Sequence, residues 1–399
     1  MANIAILGFG VVGSGVAEVL TQNAKLIEER IHQKLNIKYI LDLRDFPDSP
    51  FGHLVTHDFN TILNDPEVTI VAEMMGGSHP AYDFSLACLK AGKSVITSNK
   101  EVVSNFGVEL MAAAEKSGVR YLFEASVGGG IPIIRPLAND LSANAVRTID
   151  GILNGTTNYI LTKMQTEGSA FPEVLAEAQK LGYAEANPTA DVEGIDAARK
   201  IVILAALAFG KLISPDKIYK EGISAITAED FEIAKQLGYS IKLIAHTERI
   251  GGKILAMVSP RLVPLSNPLH SVEDVFNGIM VDTDMLGTAM FYGKGAGKLP
   301  TASAVVSDII DAAKTPVFDD SFPAFEPAND DDIVSIETYS CKNLIILPKK
   351  AEKKAEGLGG VKQMIGDRLA LITDTLSEKV MRQVLKELGD DVISRIRLI

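Results

Sequence analysis

An aspartate followed four residues later by a lysine puts a carboxylate and an ammonium on one face of a helix, where the first can orient the second for proton transfer. The stretch VEGIDAARKIVILA, residues 192–205, carries that pair as Asp196 and Lys200, just before the sequence turns almost wholly apolar. At a surface such a pair would contribute only about 0.3–0.5 kcal/mol. Beside a cleft, the apolar run Ile201 to Phe209 would anchor it rigidly in the core. A second signal lies near the start of the chain, where Gly8-Phe9-Gly10-Val11-Val12-Gly13 follows the apolar run Ile4 to Leu7 and opens a helical pattern. Gly8 suits a tight turn, Gly10 lets backbone approach a pyrophosphate, and Gly13 permits close helix–strand packing, with the helix start favouring the anion. The next strand-like run ends in ILDLRD, where an acid would bind the ribose 2′-OH of NAD and an arginine the 2′-phosphate of NADP. Arg44 stands between Asp42 and Asp45. The expectation is NADP with NAD tolerated.

The elements that must carry these residues follow from hydropathic pattern. In the first third, NIAILGFG, NIKYILDL, VTIVAEMM, KSVITS and RYLFEAS read as strands, alternating with helical stretches such as Val11–Arg30 and Ala81–Ala91. That βαβα order implies a parallel sheet covered on both faces. A glycine and proline cluster, VGGGIPIIRPL, marks a boundary, giving a Rossmann-type dinucleotide-binding domain over 1–130 and a mixed α+β domain over 131–295. The glycine loop of FYGKGAGKLPTASAVVSDIIDAA then returns the chain to the first domain over about 296–320. After FDDSFPAFEPANDDD, residues 335–399 read as βαββαβ, the order of a small ferredoxin-like domain.

Composition narrows the function classes. The 399-residue chain has a formal net charge of −12, no Lys/Arg-rich stretch and no apolar run long enough to span a bilayer. Nucleic acid and anionic membranes are therefore poor partners, and a small molecule is expected. Two cysteines without metal-type spacing, Cys88 and Cys341, and an opening stretch without a secretory pattern point to the cytoplasm.

Three stretches taken together carry a resemblance. LNGTTNYIL spans Asn154 to Leu161 after its first leucine, Tyr183 to Lys200 reads Y-A-E-x-x-P-x-x-D-x-x-G-x-D-x-x-x-K, and TSNKEVVS holds Lys100. Over roughly residues 1 to 320 the chain resembles homoserine dehydrogenases, α/β enzymes of threonine and methionine biosynthesis. The resemblance implies reversible NAD(P)H-dependent reduction of L-aspartate 4-semialdehyde to L-homoserine, with Lys200 as the proton donor and acceptor and Asp196 as its partner. Glu185 and Asp191 are then candidates for the substrate ammonium, and Thr157, Tyr183 and Lys100 for its carboxylate. Cofactor contacts would fall on Gly8 to Gly13, Arg44, Lys100 and Gly297. A sodium ion would be held mostly by backbone carbonyls mapping to Glu124, Val127, Gly129 and Ile131. The family's assembly implies a homodimer or homotetramer formed through the central domain, and the C-terminal segment looks like an ACT-type regulatory domain that chemistry could do without. Two other readings compete: a non-catalytic dinucleotide sensor, which would not require both Asp196 and Lys200, and an acylating semialdehyde dehydrogenase, which needs a cysteine nucleophile.

Overall fold

The computed structural model describes residues 1–318 and 325–399 and divides into two compact units. The first comprises Met1–Ala145, Val202–Pro215 and Phe291–Pro327. Its strands β1 (Ala2–Leu7), β2 (Leu35–Leu41), β3 (Val55–Thr56), β4 (Val68–Glu73), β5 (Ser94–Thr97) and β6 (Tyr121–Leu122) form one sheet in the order β3-β2-β1-β4-β5-β6. Every pairing is parallel, which is the doubly wound order expected for dinucleotide binding. The sequence of β1, ANIAIL, is buried almost throughout, as a parallel strand covered on both faces must be. Helix Val11–Gln22 packs along helix Lys298–Lys314, and their apolar sides join Ile4, Ile6, Ile70 and Ile96 in one core.

Local details differ from the sequence expectations for identifiable reasons. The expected helix Val11–Arg30 is two helices, Val11–Gln22 and Ala24–Ile31, broken at Asn23. The strand expected over RYLFEAS is only Tyr121–Leu122, because a turn begins at Glu124. The carboxylate of that glutamate accepts the N–H groups of Ile133, Ile134 and Arg135 at 2.7–2.9 Å, and the first compact unit runs on to Ala145. The return segment is helix Lys298–Lys314; the end of the expected range and the first half of the acidic linker fall at residues 319–324, outside the described residues.

The second unit comprises Val146–Ile201, Asp216–Met290 and Ala328–Ile399. Its sheet runs in the order Phe276–Thr283, Val146–Ile152, Tyr239–Ile250, Lys253–Pro264, Ser394–Leu398, Asn343–Pro348, Arg368–Thr373, Gly360–Ile365. Helices Gly155–Glu167 and Ala228–Gln236 lie against its central strands. The chain's own segment before Cys341 covers part of the sheet, with Tyr339, Val334 and Ile336 packed on Leu255 and Met257. Strands Tyr239–Ile250 and Lys253–Pro264 are therefore buried along most of their length within one chain, so their apolar character does not by itself call for a second subunit. Among the described residues, no helix is long and apolar enough to cross a membrane.

The C-terminal segment has the expected βαββαβ order, but it is not a separate compact unit. Its last strand pairs in parallel with Lys253–Pro264, Arg261 opposite Arg397 and Leu262 opposite Leu398. Arg397 is 1% exposed and donates to both oxygens of buried Glu378, to Glu221 and to the Tyr219 hydroxyl. Burial opposes its charge, and Glu378 and Glu221 more than compensate, so the guanidinium is held more basic than usual. Removing one partner from a buried ionic cluster costs about 3–5 kcal/mol, because the others stay charged and desolvated. Arg397→Ala should lower unfolding stability by about that amount in urea titrations, and truncation before residue 335 should give a chain that melts well below the full-length protein. Unchanged melting of the truncated chain would show that this strand is an appendage.

Candidate functional site

Asn154 organises the second unit's polar centre. It caps helix Gly155–Glu167, its Oδ1 accepting the Thr157 N–H at 2.8 Å and the Thr157 hydroxyl at 3.0 Å. With its acceptor used in that way, Nδ2 points elsewhere and donates to Asp191 Oδ1 at 2.7 Å and to Asp196 Oδ2 at 2.9 Å. Gly194 supplies the turn between these acids. Its φ of +76° is left-handed, and an added Cβ would press within 3.0 Å of Val258 Cγ1, so glycine alone suits the approach to helix Ile195–Phe209. One turn into that helix, Lys200 Nζ donates to Asp196 Oδ2 at 2.6 Å and to the Leu153 carbonyl at 2.7 Å. Both members of the pair are more than nine-tenths buried, which removes the surface ion-pair reading.

The sequence candidates therefore separate. Lys200, Asp196 and Asp191 are joined through Asn154, which follows the first leucine of LNGTTNYIL and is not among the site residues expected from the sequence. Its signal was available: an asparagine at a strand-to-helix junction is a capping residue with a spare amide. Thr157 spends its N–H and hydroxyl on Asn154. Tyr183 is exposed, its ring edge-on to Tyr159 at 4.9 Å and its carbonyl accepting the Thr156 hydroxyl at 2.6 Å. The Glu185 side chain is also exposed; its carbonyl accepts from Gln179.

In the first unit, the glycine turn has the shape its spacing implied. Gly8 has φ +89°, a Cβ on Gly13 would fall 2.0 Å from the Gly8 carbonyl, and a Cβ on Gly10 would meet nothing within 4 Å. The open side at Gly10 fronts the N-terminus of helix Val11–Gln22, where backbone N–H groups of Val11 and Val12 suit a pyrophosphate. Asp42 Oδ2 accepts the Phe9 N–H at 2.8 Å, so this acid braces the turn from the end of β2. Arg44 donates Nε and Nη2 to the same carboxylate at 3.0 and 3.1 Å and lies over the Phe46 ring. Chiefly through Arg44, the Asp42 carboxyl is held at about 2. Lys100 begins helix Lys100–Ser117, capped by Asn99. Gly297, at φ +119°, begins helix Lys298–Lys314, and its loop is pressed so closely on Gly129 that a Cβ there would come 2.4 Å from the Gly295 carbonyl.

The proposed cation loop fits oxygen donors. Gly128 and Gly129 are both left-handed, which turns successive carbonyls out of a strand-like alternation. The Glu124 carboxylate is consumed by three backbone N–H groups and Arg135, leaving main-chain oxygens as the available donors, a set suited to a hard cation. Among the described residues, no group of three or more His, Cys, Asp or Glu is arranged to hold a metal. Neither cysteine is placed as a nucleophile: both are buried, and burial pushes the Cys88 thiol up to about 12 and raises Cys341 as well.

Comparisons with known proteins agree with this chemistry. A family model described as Homoserine dehydrogenase matches residues 132–310, and one described as Homoserine dehydrogenase, NAD binding domain, matches residues 8–124. The homoserine dehydrogenase of Neisseria gonorrhoeae is 39% identical over 393 residues, covering 97% of this chain and 90% of that protein. A crystal structure of a homoserine dehydrogenase from Thiobacillus denitrificans is similar with a TM-score of 0.91 at 36% identity, over 100% of this chain and 98% of that one. A hyperthermophilic archaeal homoserine dehydrogenase mutant in complex with NADPH is similar with a TM-score of 0.67 at 29% identity, over 78% of this chain and 97% of that one. With both parts matched in order along nearly its whole length, the chain belongs to the homoserine dehydrogenase family.

Proposed function

We propose that Lys200 is the acid–base group with which this homoserine dehydrogenase interconverts L-aspartate 4-semialdehyde and L-homoserine. The observation that carries this assignment is the buried Lys200–Asp196 pair, fixed at both ends by Leu153 and Asn154. A bound nicotinamide dinucleotide supplies the hydride. As negative charge grows on the aldehyde oxygen, Lys200 meets it with a proton; in the reverse direction its neutral amine takes the alcohol proton. An ammonium has three N–H donors, and Leu153 and Asp196 take two, so the third is the one to offer the substrate oxygen. Asp196 aims the lysine and Asn154 aims Asp196. Asp191, held by the same amide, and Glu185 serve the substrate ammonium, while Tyr183 serves its carboxylate; Thr157 contributes by fixing Asn154. The carbonyls of Glu124, Val127, Gly129 and Ile131 are assigned to a sodium ion that stiffens their loop.

NADP is the preferred dinucleotide on this reading. The Asp42 carboxylate is already committed to Phe9 and Arg44, which leaves it poorly disposed to a ribose hydroxyl, while the exposed face of Arg44 suits a phosphate. Arg44→Ala should weaken NADPH binding roughly ten- to a hundredfold, and NADH far less. Equal losses for both dinucleotides in fluorescence titrations would reduce Arg44 to a turn residue.

Lys200→Ala should lower kcat roughly 10²- to 10⁴-fold in both directions. Dinucleotide affinity should barely move, since the glycine turn is built in the other unit. Near-normal kcat in a folded Lys200→Ala protein would leave the proton donor elsewhere.

A further inference from the structure

A buried carboxylate that the mechanism does not use sits at the end of β4. Glu73 is fully buried, paired in register with Leu7 of β1 and Thr97 of β5 at the carboxyl edge of the parallel sheet. Its Oε1 accepts the Met75 N–H and its Oε2 accepts the Thr97 hydroxyl, each at 2.6 Å. Thr97 Oγ1 in turn accepts the Asn99 N–H at 2.9 Å. Asn99 then works in two directions: Nδ2 donates to the Met75 and Gly77 carbonyls at 3.1 and 2.8 Å, and Oδ1 caps the helix that Lys100 begins. Ser78 closes the ring by donating to Glu101 Oε1 at 2.7 Å. The segment so fastened lies on the glycine turn. Met74 N–H donates to the Leu7 carbonyl at 2.8 Å, and a Cβ on Gly8 would come 3.1 Å from both Met74 O and Met75 Cγ.

We propose that Glu73 is a positioning residue for the dinucleotide site: by accepting from Met75 N–H and Thr97 O–H together, its carboxylate holds residues 74–78 against the glycine turn and sets the start of the Lys100 helix. An ionised carboxylate is acceptor-only and both partners are donors, so the ionised form fits this place. A protonated carboxyl must turn one oxygen into a donor, which breaks with Met75 or forces Thr97 to rotate away from its present bond. Burial is the main reason the Glu73 carboxyl is pushed up to about 7, with Thr97, Met75 and Asn99 pulling the other way. The titratable group facing it is Tyr121 on β6, whose hydroxyl is buried without a hydrogen-bond partner among the described residues. On the other elements packed around β4, Cys88 of helix Ala81–Lys90 is coupled to Lys93, Asp308 of helix Lys298–Lys314 faces Glu124 and Arg135, and Lys100 and Glu101 begin the capped helix.

The sign follows directly. Glu73 lies on β4 and stays buried whether or not residues 74–78 are held, whereas the Met75 and Thr97 bonds lower its carboxyl in the held state alone; ionisation, as pH climbs through about 7, therefore favours the held loop and protonation its release. Apparent dinucleotide affinity scales with the ionised fraction, which falls from about 0.9 at pH 8 to about 0.1 at pH 6 for a midpoint of 7.

This inference rests on the dinucleotide reading of the glycine turn and is independent of the role given to Lys200, so the test is binding without substrate. NADH fluorescence titrations avoid the titrating phosphate of NADPH. In the full-length protein the Kd for NADH should rise about tenfold from pH 8 to pH 6. Glu73→Gln cannot titrate and, like the protonated acid, turns a donor towards Thr97 in place of an acceptor; it should bind at both pH values with about the weakened affinity of the unaltered protein at pH 6, with no such slope. Glu73→Ala should bind at least tenfold more weakly at both, with a smaller change in kcat at saturating NADH. A Glu73→Gln protein that retains the tenfold slope would assign the titration to another group, His57 beside Asp42 being the nearest in kind, and would overturn the proposal. So would a folded Glu73→Ala protein of unchanged affinity. Loss of all NADH binding in the unaltered protein would remove the dinucleotide site itself, and this proposal with it.

Discussion

Two opposite charges inside a protein stay charged only when their remaining hydrogen-bonding capacity is met, because desolvation of each ion costs several kcal/mol and the attraction between them repays it only in good geometry. The Lys200–Asp196 pair is the case on which the second unit depends. One asparagine meets most of the demand. Asn154 ends a strand-to-helix junction, caps the helix with its oxygen and gives both amide hydrogens to the two acids that flank Gly194. The Leu153 carbonyl, one residue earlier on the same junction, accepts from Lys200. A single bend of backbone therefore fixes the lysine, the aspartate beside it and the acid assigned to the substrate ammonium. Displacing that bend would disturb all three together.

The first unit solves a related problem with carboxylates and backbone. Asp42 accepts from Phe9, Glu73 from Met75, Glu124 from Ile133, Ile134 and Arg135, and Asp308 from the Glu124 N–H. Each bond satisfies an amide in a loop that has no ladder partner, and each acid stands at or near the edge of the sheet where loops gather. The environments then divide the acids by state. Arg44 holds Asp42 ionised, whereas Asp308, fully buried, is pushed up to about 8 by desolvation despite Arg135. Part of this chain's acidic excess is thus structural equipment for loops rather than surface charge.

How much of this was legible in the sequence depends on range. The glycine turn could be read because its spacing encodes a local steric requirement, and the i,i+4 pair because helix geometry alone puts Asp196 beside Lys200. The βαβα order gave the parallel sheet, though not the strand order. What the sequence hid were contacts between distant stretches. Asn154 meets acids 37 and 42 residues away, and Glu73 meets Thr97 across 24. Glu73 in particular lies inside the run VTIVAEMM, where nothing local marks its partners. Nor does any local pattern reveal that a carboxylate at 124 will gather three amides from 133 to 135.

The C-terminal segment shows most clearly how pairing overrides pattern. Its βαββαβ rhythm reads as a self-contained module, and its apolar set, Ile345, Leu347, Leu371 and Met381, does form a core of its own. Yet its last strand is parallel to Lys253–Pro264, and Arg397 brings a buried charge to that seam which Glu221 of the central part helps to neutralise. The residues after Glu221 run straight to the bend that carries Asp191 and Asp196: the Ile223 N–H donates to the Val192 carbonyl at 2.9 Å, and a Cβ on Gly222 would come 2.4 Å from that same oxygen. Val192 follows Asp191 directly and precedes Gly194 and Asp196 by two and four residues. A shift of the last strand large enough to move Arg397 must therefore either break its bond to Glu221, a half-buried carboxylate that keeps the Tyr219 hydroxyl, or carry the Glu221–Ile223 backbone with it. The close fit at Gly222 leaves little slack in the second case, so the Asp191–Asp196 turn would have to move as well.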